Sequence, residues 1–157
     1  MKINYLKTFV LLGLSLFVFS CSHYDEVQAN LKESKSGDDE SHNAGRNCGS
    51  CHNVNGSEAV REAGWWTISG TVFSNGSSLQ TKATIEIWEK PNKQGKLIKR
   101  LVSDDKGNFY TNQFINLSNG AYPVIIVGLN SKQMNVAFTG GSCNSCHGVS
   151  RSTLEIN

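Results

Sequence analysis

The chain has 157 residues, 18% of them charged and 38% hydrophobic, with a formal net charge of +2. That length suits one modest domain with room for a core. The charge balance holds no strongly basic face, so nothing in it points to a nucleic-acid partner.

Residues 1–20 read as a targeting segment. Lys2 and Lys7 form a positive start, and Thr8 to Phe19 is an apolar run too short for a good membrane span. The run ends in Val18-Phe19-Ser20-Cys21, which resembles a bacterial lipoprotein processing site. The resemblance implies that Cys21 becomes the first mature residue and carries lipid. Ordinary signal cleavage, with Cys21 left as a spare thiol, is the alternative. Either way the chain is expected to be exported, and a lipid anchor places it at the outer membrane, facing periplasm or cell surface. Without Lys2 and Lys7 the count becomes 13 basic against 13 acidic side chains.

Residues 21–41 are rich in Ser, Asp, Glu, Lys, Asn and Gly. Such a segment buries too little to offset its ordering entropy, so it reads as a flexible tether. Residues 42–64 then carry the first concentrated chemistry, Cys48-Gly49-Ser50-Cys51-His52. This is C-x-x-C-H, the attachment pattern for c-type haem. Two thiols a fixed distance apart add across the two vinyl groups, and the following imidazole binds iron from below.

Residues 65–138 read as strands. Trp66, Ile68, Gly70 and Val72 alternate with Thr67, Ser69 and Thr71, and Asn75-Gly76 marks a turn. Further strands are expected at Ala83 to Trp88, Leu97 to Val102, from Phe109, at Ala121 to Val127, and at Met134 to Phe138. The expected fold is therefore mainly β, a small antiparallel β-sandwich flanked by two short haem-binding segments. Trp65 and Trp66 lie where one can enter the core and the other cover a haem edge. Lys90, Lys93, Lys96, Lys99 and Arg100 crowd one hairpin, either as a solvated turn or as a docking patch for an acidic redox partner.

Residues 139–157 repeat the motif as Cys143-Asn144-Ser145-Cys146-His147. Of five cysteines, one closes the signal and four fall in these two motifs; histidine is only 4 of 157 residues, so two chance coincidences are improbable. A disulfide, a redox dithiol or a shared Cys₄ zinc site would account for the thiols but leave both histidines unexplained.

Two resemblances follow. Ile68 to Val72, Ala83 to Ile87, Ser103 to Phe109 and Asn119 to Val124 together resemble a carboxypeptidase regulatory-like domain, which implies a transthyretin-like sandwich with no catalytic residues of its own. His42 to Cys48 and Gly140 to Gly148 resemble segments of small multihaem c-type cytochromes that carry such a sandwich between haem motifs.

The cofactor expectation is two haem c groups. Cys48 and Cys51, and Cys143 and Cys146, would form the thioether bonds, with His52 and His147 as axial ligands. His42 and Met134 are the candidates for the second axial positions; a solvated tether residue and a core-filling side chain are their ordinary alternatives. The expected function is electron transfer between redox partner proteins, without an enzymatic reaction. A haem enzyme or gas sensor with one open iron is the second class, and a haem-free zinc or disulfide lipoprotein the third. Six strands, an even number, return an up-and-down chain to its starting pole, which would pair the haems. One missed strand near Gln113 to Asn116 would instead separate them and favour a homo-oligomer or filament.

Overall fold

A strand of alternating character becomes fully buried when both of its faces are covered. The first strand, β1 (Ile68–Ser74), does this: Ile68, Ser69, Gly70, Thr71 and Val72 are all buried. Ile68 and Val72 enter the hydrophobic core, while Ser69 and Thr71 lie under the segment that carries the first C-x-x-C-H motif. The computed structural model describes residues 31–58, 64–75 and 77–156.

The remaining strands are β2 (Ser78–Leu79), β3 (Thr84–Lys90), β4 (Gln94–Val102), β5 (Asn108–Thr111), β6 (Tyr122–Val127), β7 (Asn130–Gln133) and β8 (Leu154–Glu155). They form two four-stranded sheets packed against each other. One has the order β2-β1-β5 with β8 also on β1; the other runs β4-β3-β6-β7. Pairing is antiparallel except for the parallel contact of β8 with β1. The core between the sheets gathers Ile68, Val72, Ile85, Ile87, Leu101, Phe109, Ile125 and Ile156. Among the described residues no helix is long and apolar enough to cross a membrane.

The mainly β sandwich agrees with the expectation, and several particulars differ. The last expected strand, 134–138, is displaced to β7 at 130–133, where β6 turns back on itself through Gly128 and Leu129. Of the expected stretch only Phe138 keeps a β contact, a bridge to Ala121. β2 and β8 were not expected. Each has two residues, too few to show a period.

Residues 32–41, expected as part of a free tether, lie along β5 instead. Ser34 donates its N–H to the Tyr110 carbonyl at 3.0 Å, and its hydroxyl donates to the Val102 carbonyl at 2.8 Å. Lys32 and Asn112 bond reciprocally, at 2.8 and 3.0 Å. Backbone and small polar groups hold this segment, so its low hydrophobicity did not announce it. Cys21 and the rest of the signal segment lie outside the described residues, as does His23.

Gly70 shows why a small residue sits in the middle of β1. A side chain there would meet the Phe109 ring at 2.5 Å and Cβ of Cys143 at 3.0 Å. The core ring and the second motif both approach the strand at this point.

Candidate functional site

The second motif hangs from β1 by both ends. Before it, Ser69 donates its N–H to the Gly141 carbonyl at 2.8 Å, and Ser142 bridges to Ser69 in parallel. After it, Leu154 and Glu155 pair with Val72 and Phe73, and Ile156 enters the core. Residues 143–153 are therefore a loop between two strand-like anchors on the same edge.

The first motif lies against the outer face of the same strand. Gly45 donates its N–H to the Thr71 hydroxyl at 2.9 Å, and that hydroxyl donates to Asn108 Oδ1 at 2.6 Å. Asn108 Nδ2 in turn donates to Ser41 Oγ at 2.9 Å and to the His42 carbonyl at 3.4 Å. Trp66 donates its N–H to the His52 carbonyl at 3.0 Å, which ties the end of the motif to the approach to β1.

The two motifs touch. Gly49 donates its N–H to Ser142 Oγ at 3.3 Å, and that hydroxyl donates to Asn47 Oδ1 at 2.5 Å. Asn144, inside the second motif and 2% exposed, donates through Nδ2 to the Gly45 carbonyl at 3.4 Å. Its Oδ1 is buried with no hydrogen-bond partner.

Each motif folds in the same way. Cys48–Ser50 and Cys143–Ser145 form single 3₁₀ turns. His52 and His147 donate their backbone N–H back to the first cysteine of their motif, at 2.8 and 3.0 Å. Ser50 and Ser145 donate their hydroxyls to the carbonyls of Asn47 and Ser142, at 2.8 and 2.6 Å. In both motifs the first thiol is partly buried and the second is exposed.

The imidazoles share one further feature. Nδ1 of His52 lies 2.9 Å from the Gly64 carbonyl, and Nδ1 of His147 lies 2.8 Å from the Ser152 carbonyl. A carbonyl only accepts, so each bond places the proton on Nδ1 and leaves the Nε2 lone pair to bind a metal. The same carbonyl fixes the plane of the ring.

Their surroundings differ. His52 is 5% exposed. Its ring stacks on Trp66 at 5.0 Å, and Trp66 lies 4.6 Å from Tyr110. His42 stands 6.0 Å from His52 between ring centroids, inclined by 42°. His147 is half-buried and lines a cavity of about 310 Å³. Met134 lines the same cavity. The structure thus brings His42 to His52 and Met134 to the cavity beside His147.

Burial pushes the Cys48 thiol above its ordinary value. It pushes Cys143 up to about 12, with the neighbouring Cys48 thiol adding to the shift. Both thiols are therefore neutral near pH 7, whereas a reactive dithiol is built around a stabilised thiolate. Among the described residues no three His, Cys, Asp or Glu side chains gather as a site for a bare metal ion.

Sequence reasoning missed Ser142, Asn144 and the two carbonyl acceptors. A backbone carbonyl has no side-chain signature, and the two polar residues act only because distant segments meet. In the basic hairpin, Lys93 and Arg100 pair with Glu86, at 3.4 and 2.7 Å, and Lys99 pairs with Glu33. Neither Trp65 nor Trp66 is fully buried, and Trp66 covers an imidazole. No protein-family model, curated protein or solved structure matches the chain.

Proposed function

We propose that the chain is an exported dihaem c-type cytochrome that passes single electrons between redox partner proteins. A lipid on Cys21 would hold it at the outer membrane, and the sandwich would serve as a scaffold without a reaction of its own. The observation that carries this reading is the repeated local geometry. Two C-x-x-C-H turns fold alike, and each imidazole has Nδ1 committed to a carbonyl and Nε2 left over. Those residues fit the group. Cys48 and Cys51 would hold one haem with His52 on iron, and Cys143 and Cys146 the other with His147. When bound, haem supplies reversible one-electron chemistry.

The chain's own part is positional. Gly64 and Ser152 orient the imidazoles through their carbonyls. Trp66 shields His52 from water. Ser142, Asn47 and Asn144 hold the two attachment turns together, which favours rapid exchange between them. The pairing rests on these contacts within one chain.

A haem stain after denaturing electrophoresis tests the assignment, because thioether-bound haem survives unfolding. Protein matured with the haem attachment machinery is expected to stain. Because either thiol of a pair can keep a thioether by itself, the paired variants Cys48→Ala with Cys51→Ala, and Cys143→Ala with Cys146→Ala, should each lose covalent hold of one of the two haems. Undiminished staining in both variants would refute it.

A further inference from the structure

The two motifs share a local fold, but the space in front of each imidazole is furnished differently. Resting on the dihaem reading, we infer that the axial pairs are unequal: His42 faces His52 across one iron, and Met134 faces His147 across the other.

The first pair follows from distance. Two metal–nitrogen bonds of roughly 2 Å each, with half an imidazole ring beyond each nitrogen, separate ring centres by about 6 Å. His42 and His52 stand 6.0 Å apart. His42 is exposed, yet its backbone is anchored. Its carbonyl accepts from buried Asn108, and Gly45 bonds Thr71 in the same network. His42 is thus held at a set distance from β1.

The second pair follows from the cavity. Its walls are apolar at Ile85, Phe109, Pro123 and Ile125, with Met134 and His147 among its lining. Met134 is half-buried, and its backbone N–H donates to the Pro123 carbonyl at 3.0 Å, directly after β7. Its unbranched thioether has three rotatable bonds, so it reaches into an irregular space that a stiffer side chain would not fill. Among the described residues no other sulfur side chain or second imidazole lines the cavity.

Unequal pairs give unequal potentials, because methionine in place of a second histidine raises the potential of haem iron. With haem bound, the Met134–His147 side would therefore hold an electron from a reduced partner protein more tightly than the His42–His52 side, and the chain would have a preferred internal direction of flow toward Met134 and His147.

The test is a redox titration of the holoprotein followed by its visible spectrum, with haem content per chain measured on the same samples. Two separate one-electron steps are expected. Met134→His should lower the upper step and leave the other in place. His42→Met should raise the lower step. Both exchanges keep a ligand at iron, so folding and haem loading are preserved. Carbon monoxide should leave the reduced wild type unchanged and bind one haem per chain in Met134→Ala. Two haems per chain with both steps unmoved by both exchanges would overturn the axial assignment alone. Carbon monoxide binding to the wild type would do the same. A chain with no covalent haem would overturn the dihaem reading beneath it.

Discussion

Glu86 illustrates what a single side chain decides. It lies on the outer face of β3, where alternation expects a solvated residue, yet its side chain is 7% exposed. Arg100 donates to Oε1 from Nη2 at 2.7 Å, and Trp88 donates to Oε2 from Nε1 at 2.9 Å. Burial pushes the carboxyl up, but the bonds from Arg100, Trp88 and Lys93 outweigh it and hold it below its ordinary value of 4.5. A carboxyl held low in the folded state contributes stability that is present above its unfolded value and lost as pH falls through the folded one. Wild type should therefore lose part of its stability below about pH 4.5. Glu86→Gln should show a shallower acid slope when urea midpoints are compared across about pH 3–6. Equal slopes in the two proteins would show that Glu86 does not contribute. In the same hairpin, Lys93, Arg100 and Lys99 are engaged by carboxylates of their own chain.

Among the elements, β1 organises the molecule. Its inward residues build the core, its outer face receives the segment before the first motif, and its free edge receives both ends of the second. The segment before the second motif approaches the start of this strand closely at Gly141, where an added Cβ would lie 2.1 Å from the Thr67 carbonyl. Backbone stands there, so no rotamer change relieves the clash. Gly141→Ala should cost about 1–3 kcal/mol in denaturant unfolding, the usual range for overpacking. It should also speed amide exchange across 139–153, because the Ser69–Gly141 hydrogen bond must lengthen. Unchanged exchange in that segment would mean that the loop is held by β8 alone. The elements that eluded the sequence show no alternation, and β2 and β8 are only two residues long. β7, Asn-Ser-Lys-Gln, has no apolar residue and pairs only with β6 at a sheet edge. The apolar residues that suggested a strand, from Met134 to Phe138, follow it and serve the cavity and a single bridge.

Taken as one body, residues 32–156 place the two C-x-x-C-H turns in contact. Haems bound there would be neighbours, and their unpaired electrons should interact. The electron paramagnetic resonance spectrum of oxidised, fully loaded protein is expected to differ from the sum of the spectra of two single-haem variants, Cys48→Ala with Cys51→Ala and Cys143→Ala with Cys146→Ala. A strict sum would show that the two irons are magnetically isolated, against the side-by-side arrangement. The route to this arrangement is not the even strand count that motivated it. The chain leaves β1 for the second sheet, returns for β5, crosses again for β6 and β7, and closes on β1 with β8. The motifs meet because both flanking segments dock on one strand.

The local fold of each C-x-x-C-H motif was legible in the sequence because it is short-range. C-x-x-C-H is complete within five residues, and the turn that presents it is closed by hydrogen bonds inside the motif. The sandwich was legible for a similar reason, since alternation in β1 and β3 records which face is buried. Everything that couples one motif to the other was decided by tertiary structure. The partners are Gly49 with Ser142, Asn47 with Ser142, and Gly45 with Asn144, each more than 90 residues apart. The positions of His42 and Met134 were decided in the same way. His42 reaches His52 because Asn108, on β5, holds its backbone, and Met134 shares a cavity with His147 because β8 brings the end of the chain back to β1. Spacing along a chain encodes contacts within a turn or a strand, but contacts between segments exist only after the core has brought them together.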